Sequence, residues 1–107
     1  MKNLPEEFVT RMKDILGEEY EQYESSMHNS PVRAFRVNTD KISVKDFEKI
    51  NDIPCEKIPY VENGYYFNYD KIGNHPFHHA GMIYVQEPGA MAPAECIDID
   101  PKWTVLD

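Results

Sequence analysis

Phe8, Met12 and Ile15-Leu16 recur at helical spacing and make one apolar face, so the chain opens on a helix over Leu4–Leu16. Pro5 suits its first position, Glu6 and Glu7 suit its positive end, and Gly17 is a natural stop. A second helix is predicted from Glu18 to about Met27, with Tyr20, Tyr23 and Met27 on one side and Glu19, Glu21, Gln22 and Glu24 on the other. A tight turn between the two would let them pack as a hairpin. Asn29-Ser30-Pro31 then breaks the pattern, and Val32–Val37 alternates in the manner of a strand.

The segment Ile42–Asn51 has the clearest local signature. Ser43 is an N-cap with Asp46 three residues on, and Ile42 and Phe47 are spaced for a hydrophobic staple. Val44, Phe47 and either Ile50 or Ile53 are expected to face the core. Pro54–Tyr69 reads as a hairpin with Asn63-Gly64 at its turn, arms Cys55–Val61 and Tyr65–Tyr69, and Pro59 marking an edge or a bulge. Its aromatics divide between two roles. Phe67 is assigned to the core, whereas Tyr66 and Tyr69 are left open between core packing and stacking on unpaired RNA bases.

The last third begins with a polar turn, Gly73-Asn74-His75-Pro76, followed by the apolar run Met82–Val85, closed by Gln86-Glu87-Pro88. A small-residue helix follows, capped by Gly89 or Glu87 and starting near Ala90, with Pro93 in its first turn. Trp103–Asp107 is apolar, β-branched and acid-ended, and reads as a buried strand of the parallel kind. Such a strand needs neighbours and a crossover helix, so the expectation is the front piece of a longer protein.

These residues carry a resemblance. His75-Pro76, Gly81, Tyr84, Gln86-Glu87-Pro88, Ala90-Met91, Pro93 and Val105-Leu106-Asp107 resemble the entry segment of the Sun-type (Nol/Nop/Sun) RNA cytosine-5 methyltransferases. So do Leu4-Pro5, Leu16-Gly17-Glu18-Glu19-Tyr20 and Arg36-Val37-Asn38-Thr39 at the front. The resemblance covers essentially the whole chain, and one departure is Gly89, where the family usually has serine. It implies an α+β chain in two parts. Residues 1–72 would be an accessory domain of helices and antiparallel sheet that helps position RNA. Residues 73–107 would open a Rossmann-like methyltransferase domain, cut before the glycine-rich loop that holds S-adenosylmethionine. The parent enzyme would methylate a cytosine of RNA, bacterial ribosomal RNA in particular, and not DNA. The 107-residue chain by itself is expected to be inactive and to bind no cofactor tightly.

Charge and chemistry refine this picture. With 19 acids against 11 bases and a net charge of −8, the chain has the wrong sign for tight, free-standing nucleic-acid binding. Arg33, Arg36 and Lys41 form a local basic cluster beside Asn38, and these four are the candidate RNA contacts. The competing expectation is that Arg36 pairs with an acid and Asn38 caps the next turn. Gln86, Glu87 and Pro88 are the candidates for lying near the cofactor or target pocket, against the plainer expectation of a capped helix on a sheet.

No catalytic residue is assigned. The family's nucleophilic cysteines follow the cofactor strand, whereas Cys55 precedes it and is followed by Glu56, which opposes the thiolate. Cys55 is therefore read as structural and Cys96 as buried, both reduced. His75, His78 and His79 could offer imidazoles to a metal, but structural zinc wants four ligands, and none is assigned. With no membrane span and no leader, the expected location is the cytoplasm. The rival reading is a free-standing protein-interaction module that uses its acidic helical surface.

Overall fold

The structure, a computed structural model, describes residues 4–107. It divides into two compact units, one up to Pro31 and one from Val32 to Asp107. In the first, helix α1 spans Glu6–Leu16, a 3-10 turn spans Gly17–Glu19, and helix α2 spans Tyr20–Ser26. Pro5 has extended ψ (139°) and lies one residue outside α1, its carbonyl accepting the Val9 N–H. Gly17 ends α1 at φ 54°, a region open to glycine, with its N–H on the Lys13 carbonyl. Tyr20 is buried, with Lys13 over its ring and its hydroxyl donating to Glu24.

The second unit is built on a four-stranded antiparallel sheet, so the chain is α+β. Its strands are β1 (Ala34–Val37), β2 (Cys55–Lys57), β3 (Gly64–Phe67) and β4 (Ile83–Val85), in the order β2-β3-β1-β4. Strand β1 is central, pairing Phe35 with Tyr65 on one side and with Val85 on the other. Helices α3 (Val44–Ile50), α4 (Pro76–His79) and α5 (Pro88–Glu95) complete it.

Alternation along the strands gives the sheet two apolar faces. Phe35, Val37, Tyr65, Phe67 and Ile83 join Phe47 of α3, Ile53 and Ile72 in the larger core. Ala34 meets Ile58, Val61 and Met91 of α5 in a smaller cluster, with Tyr66 packed against it. The larger core is aromatic: Phe35 lies 5.7 Å, centroid to centroid, from each of Phe47, Tyr65 and Phe67. Phe47 is fully buried and touches Phe77 as well.

Ser43 caps α3 as expected, its hydroxyl accepting the Asp46 N–H at 3.1 Å. Ile53 rather than Ile50 completes that helix's inner side, because the chain turns extended at Asn51 and carries Ile53 back under the sheet. Tyr69 packs edge-on against His75.

Two local expectations are corrected, and a third, the strand at Trp103–Asp107, lacks among the described residues the neighbours that the expectation itself placed outside this chain. Asn63-Gly64 is not a two-residue turn: β2 ends at Lys57, and residues 58–63 form a longer loop closed by Gly64 N–H to the Val61 carbonyl. Gly64 is required by close approach, since a Cβ there would sit 2.7 Å from Val61 Cγ1. Pro93 lies past the first turn of α5, because Glu87 is the cap and the helix starts at Pro88. Trp103–Asp107 is exposed and unpaired among the described residues, with Leu106 at 98% exposure. Apolar, β-branched composition does not supply a ladder, and no described strand runs beside these five residues.

Phe47→Ala should destabilise the second unit by about 3–5 kcal/mol, read from urea unfolding. Burial, and then a 2.7 Å hydrogen bond to Glu48, push the Tyr65 hydroxyl above its usual value of 10.0. A raised folded value means that this contribution is fully present below the unfolded phenol's pKa and is lost as pH rises through the folded one. Tyr65→Phe should therefore flatten the fall in stability above about pH 10, in unfolding curves taken across the alkaline range.

Candidate functional site

The four candidate RNA contacts all lie on β1 or within four residues of its ends, but the structure uses them differently. Arg36 points to the α5 side of the sheet, and its side chain is only 19% exposed. Its Nε donates to Gln86 Oε1 at 3.0 Å, and Nη1 donates to Asn63 Oδ1 at 2.9 Å and Glu95 Oε1 at 2.8 Å. Nη2 reaches the Met91 carbonyl at 3.2 Å. Four bonds from five N–H donors leave a guanidinium that is a structural hub with little left for a ligand.

Asn38 is spent in a similar way. Its amide donates to the Gly81 carbonyl at 3.0 Å and its side-chain oxygen accepts the Asp40 N–H, capping the turn. Lys41 is exposed, with Nζ 2.7 Å from the Ala80 carbonyl, which leaves two of its three N–H groups free toward solvent. It lies across Gly81, where φ is +68° and a Cβ would sit 2.7 Å from Nζ. Arg33 is exposed, with its guanidinium carbon 5.0 Å from the centroid of the Phe67 ring, a cation–π arrangement. Lys41 and Arg33 are thus the cations of the cluster best able to reach a phosphate.

Arg36, Asn38, Lys41 and Asn63 also line an open depression of about 590 Å³, together with Thr39, Asp40, His78, Gly81 and Tyr84. Tyr84 sits directly across from Arg36 in the β1–β4 register and is 66% exposed. The sequence marks Tyr84 only as part of the family resemblance and gives it no site role, because it lies inside an apolar run. The available signal was strand alternation, which sends Ile83 into the core and Tyr84 to the opposite face.

Gln86, Glu87 and Pro88 lie at the junction of β4 and α5. The Gln86 N–H donates to the Ala34 carbonyl, and its side chain accepts from Arg36. Glu87 caps α5, its two carboxylate oxygens accepting the Gly89 and Ala90 N–H groups at 3.0 and 2.9 Å. Pro88 is buried, and its carbonyl accepts the Tyr60 hydroxyl. The polar atoms of these three residues are thus engaged within the chain, as expected for a capped helix on a sheet. No described residues form a glycine-rich loop after a strand.

His75 is a buried structural histidine. Its Nδ1 accepts the Phe77 N–H and caps α4, so Nε2 carries the hydrogen and donates to Asp52 at 2.9 Å. His78 and His79 are exposed, and no three of His, Cys, Asp and Glu among the described residues are grouped to hold a metal ion. Cys55 is partly buried, bonded by the Asn51 amide, and its thiol is pushed up by burial with a further push from Glu48. Cys96 is exposed rather than buried, because α5 ends at Glu95 and the chain beyond it is open. No helix of the described residues is long and apolar enough to cross a membrane.

The model of the N-terminal domain of 16S rRNA methyltransferase RsmF matches residues 4–88. The chain belongs to this family. A ribosomal RNA small subunit methyltransferase F from Vibrio atlanticus is 31% identical over 103 residues, which cover 88% of this chain and 22% of the relative. The enzyme of the same description from Pectobacterium atrosepticum is 31% identical, over 98% of this chain and 24% of its own length. A methyltransferase homolog protein from Pyrococcus horikoshii has a similar crystal structure, with a TM-score of 0.73 and 29% identity over 92% of this chain and 34% of that one. The chain thus spans under a quarter of the length of these two curated relatives.

Arg36→Ala should lower stability by about 1–3 kcal/mol in urea unfolding, and Arg36→Lys should recover only part of it, because an ammonium cannot span four acceptors. Under native conditions near pH 8, a thiol reagent should label Cys96 first and Cys55 slowly, read by mass spectrometry of the digested protein.

Proposed function

We propose that this chain is the N-terminal part of an S-adenosylmethionine-dependent ribosomal RNA cytosine-5 methyltransferase of the small subunit, and that it helps to position the RNA. The observation that carries the proposal is the family match over residues 4–88. In this reading the residues through 72 form the accessory domain, whose sheet takes its edge strand β4 from the segment that follows. Residues 73–107 lead toward the methyltransferase domain, which binds the cofactor and supplies the transferred methyl group. The chain's own residues hold the RNA-facing surface in shape. Arg36 ties the loop before β3 and helix α5 to the sheet and Asn38 caps the turn after β1, while Arg33 and Lys41 offer exposed charge to phosphates. Such contacts orient RNA without reading its sequence. The excess of acids over bases keeps this piece's own affinity low, so productive binding needs the rest of the enzyme.

The test is methyl transfer by the longer protein that carries this chain. With labelled S-adenosylmethionine and small-subunit ribosomal RNA or subunits, it should place a methyl group on cytosine, located by bisulfite sequencing, while the 107-residue chain alone transfers none. Arg33→Ala with Lys41→Ala should raise the RNA KM several-fold and leave kcat nearly unchanged, because these contacts are equal in the ground and transition states. Absence of transfer to any small-subunit RNA would overturn the proposal.

A further inference from the structure

The depression beside β1 has features that the family assignment does not use. Tyr84 is a large aromatic, two-thirds exposed, on a strand whose neighbours Ile83 and Phe35 are buried. An aromatic ring standing on a sheet and open to solvent offers a stacking platform to any base, because every base has a π-face. The Lys41 ammonium and the exposed His78 imidazole also line the depression, as does the Asn63 amide. The lining holds two formal cations, Arg36 and Lys41, against one carboxylate, Asp40. Arg36 is paired with Glu95, so Lys41 carries the free charge. Two hydrogen bonds, Lys41 to Ala80 and Asn38 to Gly81, fix the turn that leads from α4 into β4, so the lining is preorganised.

Resting on the RNA-positioning reading above, we infer that this depression holds a single unpaired nucleotide of RNA, its base stacked on Tyr84 and its phosphate against Lys41 and His78. A protein surface covering Tyr84 would explain the exposed ring equally well, but not a lysine held at the rim with two donors free. A double helix presents no unstacked base, so single strands, loops and bulges are the forms that fit.

The test uses the 15N-labelled 107-residue chain at low salt, titrated with a single-stranded RNA hexanucleotide and, separately, with a duplex of equal length. Amide shifts should concentrate at Tyr84, Lys41, Gly81 and His78 with the single strand. Tyr84→Ala should weaken binding about five- to a hundredfold, the loss of one base stack, and Tyr84→Phe should retain it. Lys41→Ala should reduce the slope of log affinity against log salt by about 0.7. Shifts centred on Arg33 or elsewhere, with affinity unchanged in Tyr84→Ala, would overturn this site while leaving the RNA-positioning reading intact. No shift with either RNA would overturn the site as well, and methyl transfer by the longer protein would then decide the broader reading separately.

Discussion

The second unit depends on an arginine side chain taken four-fifths out of water. Burying a charge without partners is costly, and Arg36 meets that cost with one carboxylate, two side-chain amide oxygens and one backbone carbonyl. Those acceptors come from the residue after β4, from the loop before β3, and from the middle and end of α5. One side chain on the central strand therefore fixes the position of three segments distant in sequence. The opposite side of the same strand does this by apolar contact, with Phe35 at the centre of an aromatic cluster. Successive residues thus hold the sheet from its two faces, one by hydrogen bonds and one by burial.

This division explains which parts of the chain were legible as sequence. Features governed by neighbours along the chain came through: the Ser43 cap, the Gly17 stop, the small-residue helix before residue 96, and the basic strand. Features governed by what lies across space did not. Asn63-Gly64 has the composition of a tight turn, yet Gly64 is small because Val61 presses against it and Asn63 is polar because it serves Arg36 and the Val37 carbonyl. Trp103–Asp107 has the composition of a strand but no strand beside it among the described residues.

The candidate site was legible to the same degree. The basic cluster was visible, and so was the possibility that Arg36 pairs with an acid and Asn38 caps a turn. Which acid, fifty-nine positions away, was not visible. Nor was the division of labour within the cluster, where two members hold the surface and two remain available to an anion. Tyr84 carried part of the family resemblance but no site role, because apolar composition alone does not say which face of a strand a residue occupies. The partner strand decides that, and it puts Tyr84 beside Arg36.

Helix α5 is interrupted by its own proline. Pro93 has no N–H to give the Gly89 carbonyl, so the helix is short of an internal bond in a length of only eight residues. Bonds from outside hold it at other points: Tyr60 on the Pro88 carbonyl and Arg36 on the Met91 carbonyl and Glu95. A helix so short and so interrupted has little tendency to persist once detached from the sheet. Tension applied to the chain beyond residue 95 would therefore reach the sheet first through the Glu95–Arg36 pair, at the last residue of the helix.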